Sequence, residues 1–150
     1  MPYAPAVFAA VFAALYAAHQ VADHWIQTDH QAAMKGAPSW AGRLACAAHV
    51  GTYTLTALVA LVAVALSTGL PLSPARVAAG LAVSAVTHYF ADRRTPLRRL
   101  AKLTGAGQFF GFGTPRPDHD DKPCLGTGAY ALDQSWHIGW LFIAALIVAG

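Results

Sequence analysis

The chain has 150 residues, enough for one domain; 56% are hydrophobic and only 11% are charged. Soluble proteins carry about a quarter charged residues, so this composition excludes an ordinary soluble domain and points to a membrane protein. The formal charge is +3, all seven acids are Asp, and seven of the ten basic residues lie between Arg93 and Lys122.

The N-terminus, MPYAPAVF, lacks the positive region of a cleaved signal peptide, and none is expected. A membrane span takes about 20 residues, and lipid forces its backbone groups to bond within the segment. Four stretches read as such helices: about 3–26, 40–66, 74–92 and 130–149. Between the first two, QTDHQAAMKGAPS (27–39) reads as a polar loop broken by Gly36 and Pro38, with Asp29 and His30 solvated, and His24 with them. STGLPLSP (67–74) reads as a tight turn. After the third span, RRTPLRRLAKL (93–103) places Leu97, Leu100 and Leu103 on one side of a basic segment, which predicts a short interfacial helix. The rest of the 93–128 connection is Gly- and Pro-rich and reads as irregular. Its GAGQFFGFG has no strand before it and no Lys-Ser/Thr after it, so it is not a phosphate loop. Its Asp118, Asp120 and Asp121 read as a solvated acidic loop. The expectation is an all-α chain: one integral membrane four-helix bundle of residues 1–150, closely packed through small residues such as Gly80 and Ser84, four apart.

Basic residues mark the cytoplasmic side. Lys35, Arg43 and the 93–122 cluster place the first and third connections there. Both termini of this multi-pass protein then face outward. Membrane lipid is the expected partner, with anionic headgroups met by Arg93, Arg94, Arg98, Arg99 and Lys102, although positive-inside anchoring explains Arg93 and Arg94 as well. A homo-oligomer remains open, and no nucleic-acid partner is expected.

Polar residues inside spans are costly and mark function by default. His19 and Asp23 are four apart, as are His88 and Asp92, and Asp133 and His137. Each pair therefore shares a helix face. His49 sits in the second span. With alternating span directions, all seven fall in the cytoplasmic half of the bilayer, facing one another rather than lipid. Imidazole with carboxylate suits a divalent metal, zinc first, with Fe, Mn, Ni or Co also compatible. Seven donors suit one or two ions, and helix bundles build metal sites from such spacings. An ion with an open position can activate water, so the leading expectation is a metal-dependent hydrolase acting on a lipid-like or membrane-proximal substrate. In it His19, Asp23, His88, Asp92 and His137 are ligands, Asp133 a ligand or general base, and His49 a ligand or proton shuttle. Gln27 and Gln134 stand beside the cluster as hydrogen-bond donors or helix caps. Two rivals stay open: a metal or ion transporter or sensor, and a structural protein held by a His–Asp hydrogen-bond network. Apolar outer halves in every span count against a transport path within one chain. Trp25, Trp40, Trp136 and Trp140 suit interfacial anchors or core filling. Cys46 and Cys124 have no framework or metal spacing and are expected as free thiols.

HQVADHWIQ at 19–27, Lys35, His49, HYFAD at 88–92 and DQSWH at 133–137 together resemble a bacterial and phage family of small membrane proteins, domain of unknown function 3307. That family's pattern is H-x-x-x-D-F-x-x-Q in the first helix, a Lys soon after, a His in the second, H-x-x-x-D in the third and D-Q-x-x-H in the last. The resemblance covers most of the chain. His24 departs from it, standing where the family has Phe, which makes that spot more polar or adds a ligand. The long 104–128 loop departs as well. The family supplies no activity to carry over. A looser similarity to small membrane metal-dependent hydrolases, which also place His and Asp at helix ends, is analogy of fold alone.

Overall fold

A computed structural model describes residues 4–119 and 126–150. Asp120, Asp121 and Cys124 of the expectations above lie outside the described residues. Every regular element among those described is helical. They are α1 (Ala4–Val21), extended by one π-helical turn (Ala22–Ile26), α2 (Asp29–Met34), α3 (Trp40–Thr68), α4 (Pro74–Asp92), α5 (Thr95–Leu103), α6 (Gly107–Phe110) and α7 (Gly128–Ala149).

Among the described residues, three helices are long and apolar enough to cross a membrane: Ala4–Ile26, Trp40–Thr68 and Gly128–Ala149. α3 has 29 residues, about 43 Å at 1.5 Å per residue, more than the hydrocarbon core of about 30 Å. α4, the remaining expected span, is less apolar. Its 19 residues include Arg76, Ser84, Thr87, His88 and Asp92. It packs against α3 and α7, while α1 also packs against α3 and α7.

Local chemistry sets the ends. Ser39 and Thr127 accept bonds from Gly42 N and Tyr130 N, capping α3 and α7. Pro74 opens α4 and left-handed Gly69 closes α3, a common pairing at helix ends. The segment expected as a loop at 27–39 contains α2. Its Thr28 and Gln31 form a reciprocal capping box, an S/T-x-x-E/Q signal present in the sequence. The basic segment does form a helix, α5, with Leu97 and Ala101 buried and Arg98, Arg99 and Lys102 exposed.

Away from the polar cluster, Val7, Val11, Leu15, Leu61, Leu141 and Val148 fill the core with small alanines between them. α4 meets α7 at Gly80, where a Cβ would strike Val148 and the Ala144 carbonyl. Ser84 does more than pack: its hydroxyl shares a 2.5 Å hydrogen bond with Tyr53. Cys46 is buried as a free thiol.

Candidate metal centre

α1 brings His19 in its last turn, and the π-helical turn carries Asp23. There Gln27 N bonds Ala22 O, five residues back, at 2.9 Å. Such widened turns occur mostly as single insertions at functional sites. α3 brings His49, α4 brings His88 and Asp92, and α7 brings Asp133 and His137. All seven residues converge. They form three overlapping groups, His19–Asp23–His88, His49–His88–Asp92 and Asp92–Asp133–His137, with the donor atoms of each group within 4.8 Å of one another.

The tightest set has four donor atoms. His49 Nε2 and His88 Nε2 are 3.1 Å apart. Asp92 Oδ2 lies 3.3 Å from each of those nitrogens. Asp23 Oδ1 lies 3.4 Å from His49 Nε2 and 3.7 Å from His88 Nε2. Tetrahedral zinc with bonds of about 2.0–2.1 Å needs donor atoms about 3.3 Å apart. Five donor–donor distances thus fall close to the separation that ligands of one ion require, in two triangles that share the His49–His88 edge. Asp23 Oδ1 and Asp92 Oδ2 are buried without a hydrogen-bond partner, although imidazole nitrogens stand so near. Buried polar atoms normally have partners; here the nearest polar atoms to both oxygens are the His49 and His88 Nε2 nitrogens.

His19 and His137 stack beside this set, ring centroids 4.8 Å apart. His137 Nδ1 donates to the Asp133 carbonyl at 2.8 Å, so in the neutral imidazole Nε2 keeps the lone pair. That Nε2 and both nitrogens of His19 are buried without a hydrogen-bond partner. Asp133 is partly exposed, with Oδ2 3.5 Å from His137 Nδ1. Gln134 Nε2 reaches Asp133 Oδ2 at 3.4 Å, the supporting contact expected of it, whereas Gln27 Nε2 is buried without a partner.

Three features went unassigned in the sequence. Lys35 Nζ donates to Asp92 Oδ1 at 2.8 Å, which fixes that carboxylate so its other oxygen faces His49 and His88. In the sequence Lys35 stands out only as one basic residue of a polar connection. Tyr53 stacks on the His88 ring at 4.1 Å from one turn beyond His49, where nothing separates it from an ordinary core aromatic. The π-helical turn has no sequence signal here. His24, expected in solvated loop, lies in that turn and donates from Nδ1 to the Gln20 carbonyl at 2.9 Å, outside the four-donor set.

Arg93 and Arg94 clamp the backbone of the 32–37 segment that carries Lys35. Arg93 donates to the Lys35 and Ala37 carbonyls at 2.7 and 2.5 Å, and Arg94 to the Ala32 carbonyl at 3.1 Å. Arg94 has φ 57° and ψ −49°, and Thr95 N bonds Arg93 O across it. This is the rare γ-turn with positive φ, a strained conformation for a residue with a Cβ, and it turns the chain sharply from α4 into α5. Replacing Arg93 with alanine is expected to speed amide exchange in residues 29–38 without affecting the cores of α3 and α7. Lysine should rescue this only in part, because it lacks the planar two-pronged donor. Unchanged exchange in 29–38 would show that the clamp is idle.

A cavity of about 480 Å³ opens onto the site, lined by Asp23, Lys35, Asp92, Arg94, Asp133 and Tyr130 among others. Phe110 and Thr127 of the long connection also line it, so that loop forms part of the wall. Trp136 Nε1 donates to the Thr87 carbonyl at 3.0 Å and its ring stacks on Phe90, tying α7 to α4 at this level. Trp25 and Trp40 are largely exposed, as anchors would be. Comparison with protein-family models, curated proteins and solved structures returns no match.

Proposed function

We propose that this chain is a four-span integral membrane protein that binds a divalent metal and uses it to hydrolyse a lipid-like or membrane-proximal substrate. The observation that carries the reading is the set of five donor–donor distances between 3.1 and 3.7 Å. His49, His88 and Asp92 are the fixed ligands; this makes His49 a ligand rather than a proton shuttle. Asp23, near both His49 and His88, is the fourth candidate ligand. It also lines the cavity, so its displacement by substrate would give the open position that catalytic zinc sites keep. Zinc fits the donor set best, with Fe, Mn, Ni or Co compatible. His19, grouped with Asp23 and His88, and His137, grouped with Asp92 and Asp133, add donors beside the first set. The ion would supply Lewis-acid polarisation of the scissile group. Asp133, partly exposed on the cavity wall, is the general base.

The membrane reading places α4 as the fourth span, α5 in the interface, the 27–39 and 93–128 connections in the cytoplasm and both termini outside, by the positive-inside rule. The resemblance to domain of unknown function 3307 agrees with this arrangement through its motifs. The apolar core that fills the bundle away from the cluster argues against a transport path through one chain. A purely structural His–Asp network remains the rival, supported by the His49–His88 contact and the imidazole–carboxylate pairs, and metal content separates the two. A metal held only for stability would use the same donors, and activity separates it from catalysis. Zinc-loaded protein in nanodiscs should hydrolyse ester or phosphoester amphiphiles, and Asp133→Asn should keep the metal but lose most turnover. Turnover that survives both chelation and Asp133→Asn would sink the catalytic reading.

A further inference from the structure

His88 is held in an unusual way for a metal ligand. An imidazole that binds a metal through one nitrogen almost always donates its other N–H to a carboxylate, a carbonyl or water, and that bond sets the ring plane. His88 Nε2 faces His49, Asp92 and Asp23, which leaves the N–H to Nδ1. That nitrogen is buried, and no side chain or carbonyl among the described residues accepts from it. The ring plane is therefore left to packing. Tyr53 lies nearly parallel to the ring, 4.1 Å away at 27°, whereas His49, His137 and His19 meet it at 53°, 58° and 83°. The same phenol is tied at its far end. A buried phenol hydroxyl usually finds a partner, and this one shares the 2.5 Å bond with Ser84. Tyr53 and Ser84 are only 1% and 3% exposed. Ser84 and His88 are four apart and share a face of α4, as His49 and Tyr53 share a face of α3. Tyr53 thus meets α4 at two points one turn apart, with its oxygen at Ser84 and its ring at His88. The His49–His88 contact and the Tyr53–Ser84 bond form successive rungs between the two helices.

We propose that Tyr53, anchored by Ser84, is a positioning residue of the metal centre: it sets the His88 ring plane and the α3–α4 register that brings His49 and His88 to one ion. This role deepens the metal reading above and rests on it. Tyr53 lines neither the polar cavity at the site nor the apolar groove between α5 and α7, so its effect passes through His88.

Cobalt(II) is the probe, because its visible absorption bands report the number and geometry of its ligands. Wild type, Tyr53→Phe, Ser84→Ala and the double variant are titrated with cobalt in nanodiscs. Phenylalanine keeps the stacked ring and loses the anchor. Each single change is expected to weaken cobalt binding about 10-fold, the lower end of what a ligand's outer partners contribute, and to shift the bands. The double variant should bind no more weakly than the singles, because both changes remove the same bond. Tyr53→Leu removes the ring as well and should lose about 100-fold; if it folds poorly, the two conservative variants decide. Leu61→Ala, in the apolar core of the same helix, controls for destabilisation alone. It should lower the melting temperature and leave affinity and bands unchanged. Unaltered affinity and bands in Tyr53→Phe and Ser84→Ala, beside a wild type that binds cobalt, would overturn the proposal and spare the metal centre. So would fully additive losses in the double variant, or the same band shift in Leu61→Ala. A folded wild type that binds no cobalt would remove the metal centre and this role together.

Discussion

His88→Ala should lose metal affinity by more than about 100-fold, since removing mere supporting partners of a ligand already costs 10–100-fold. His88 Nε2 takes part in three of the five close distances, to His49, Asp92 and Asp23. Its removal leaves His49, Asp92 and Asp23 without the nitrogen that lies within 3.7 Å of all three. The same loss should appear in stability. An ion present at about 1,000 times its dissociation constant adds about 4 kcal/mol to folding, so zinc should raise the melting temperature of the wild type markedly. His88→Ala should show no metal-dependent shift. The comparison of apo and loaded protein within each variant cancels the separate cost of losing the ring stacked on Tyr53. A variant that still melts higher with zinc would place the ion elsewhere.

The second large effect is at Asp92. One of its oxygens accepts from Lys35 and the other faces His49 and His88, with the side chain only 3% exposed. Asp92→Asn therefore removes a ligand and strands a mostly buried ammonium. Breaking a buried pair from one side costs about 3–5 kcal/mol, reduced here to the extent that Lys35 reaches solvent through the cavity. Adding Lys35→Met, which keeps the side-chain volume, should restore much of the folding stability but none of the metal binding. Thermal melts of the apo proteins and zinc titrations read the two effects separately. Recovery of metal binding in the double variant would mean that Asp92 serves the fold and not the ion. Lack of any stability loss in Asp92→Asn would mean that the Lys35 contact is dispensable.

Much of this site was legible because lipid makes polar residues conspicuous. In a span of Ala, Val and Leu, a His and an Asp four apart on one helix face stand out, and alternating span direction puts all such pairs at one depth. That reasoning brings together the seven residues that do converge. It could not rank them. His49 stands out less than the paired residues in sequence, yet its Nε2 lies at the centre of the tightest set. Lys35 was hidden because the clamp that holds it uses backbone carbonyls contacted from Arg93, a long-range contact with no local pattern. The helix at 29–34 was readable from Thr28 and Gln31, but the polar composition and flanking Gly36 and Pro38 outweighed it. The fourth hydrophobic stretch stands in the structure from 128, two residues earlier than expected, because Thr127 caps it. The π-helical turn at Asp23 depends on packing against α3 and was beyond any reading of spacing alone.

Metal content tests the central claim most directly, measured by mass spectrometry on wild type, His49→Ala and His88→Ala purified in nanodiscs and reconstituted in turn with Zn, Mn, Fe, Co and Ni. The account expects at least one ion per wild-type chain, retained after desalting, and loss of that ion in both variants. A folded wild type that retains none of these metals would contradict it.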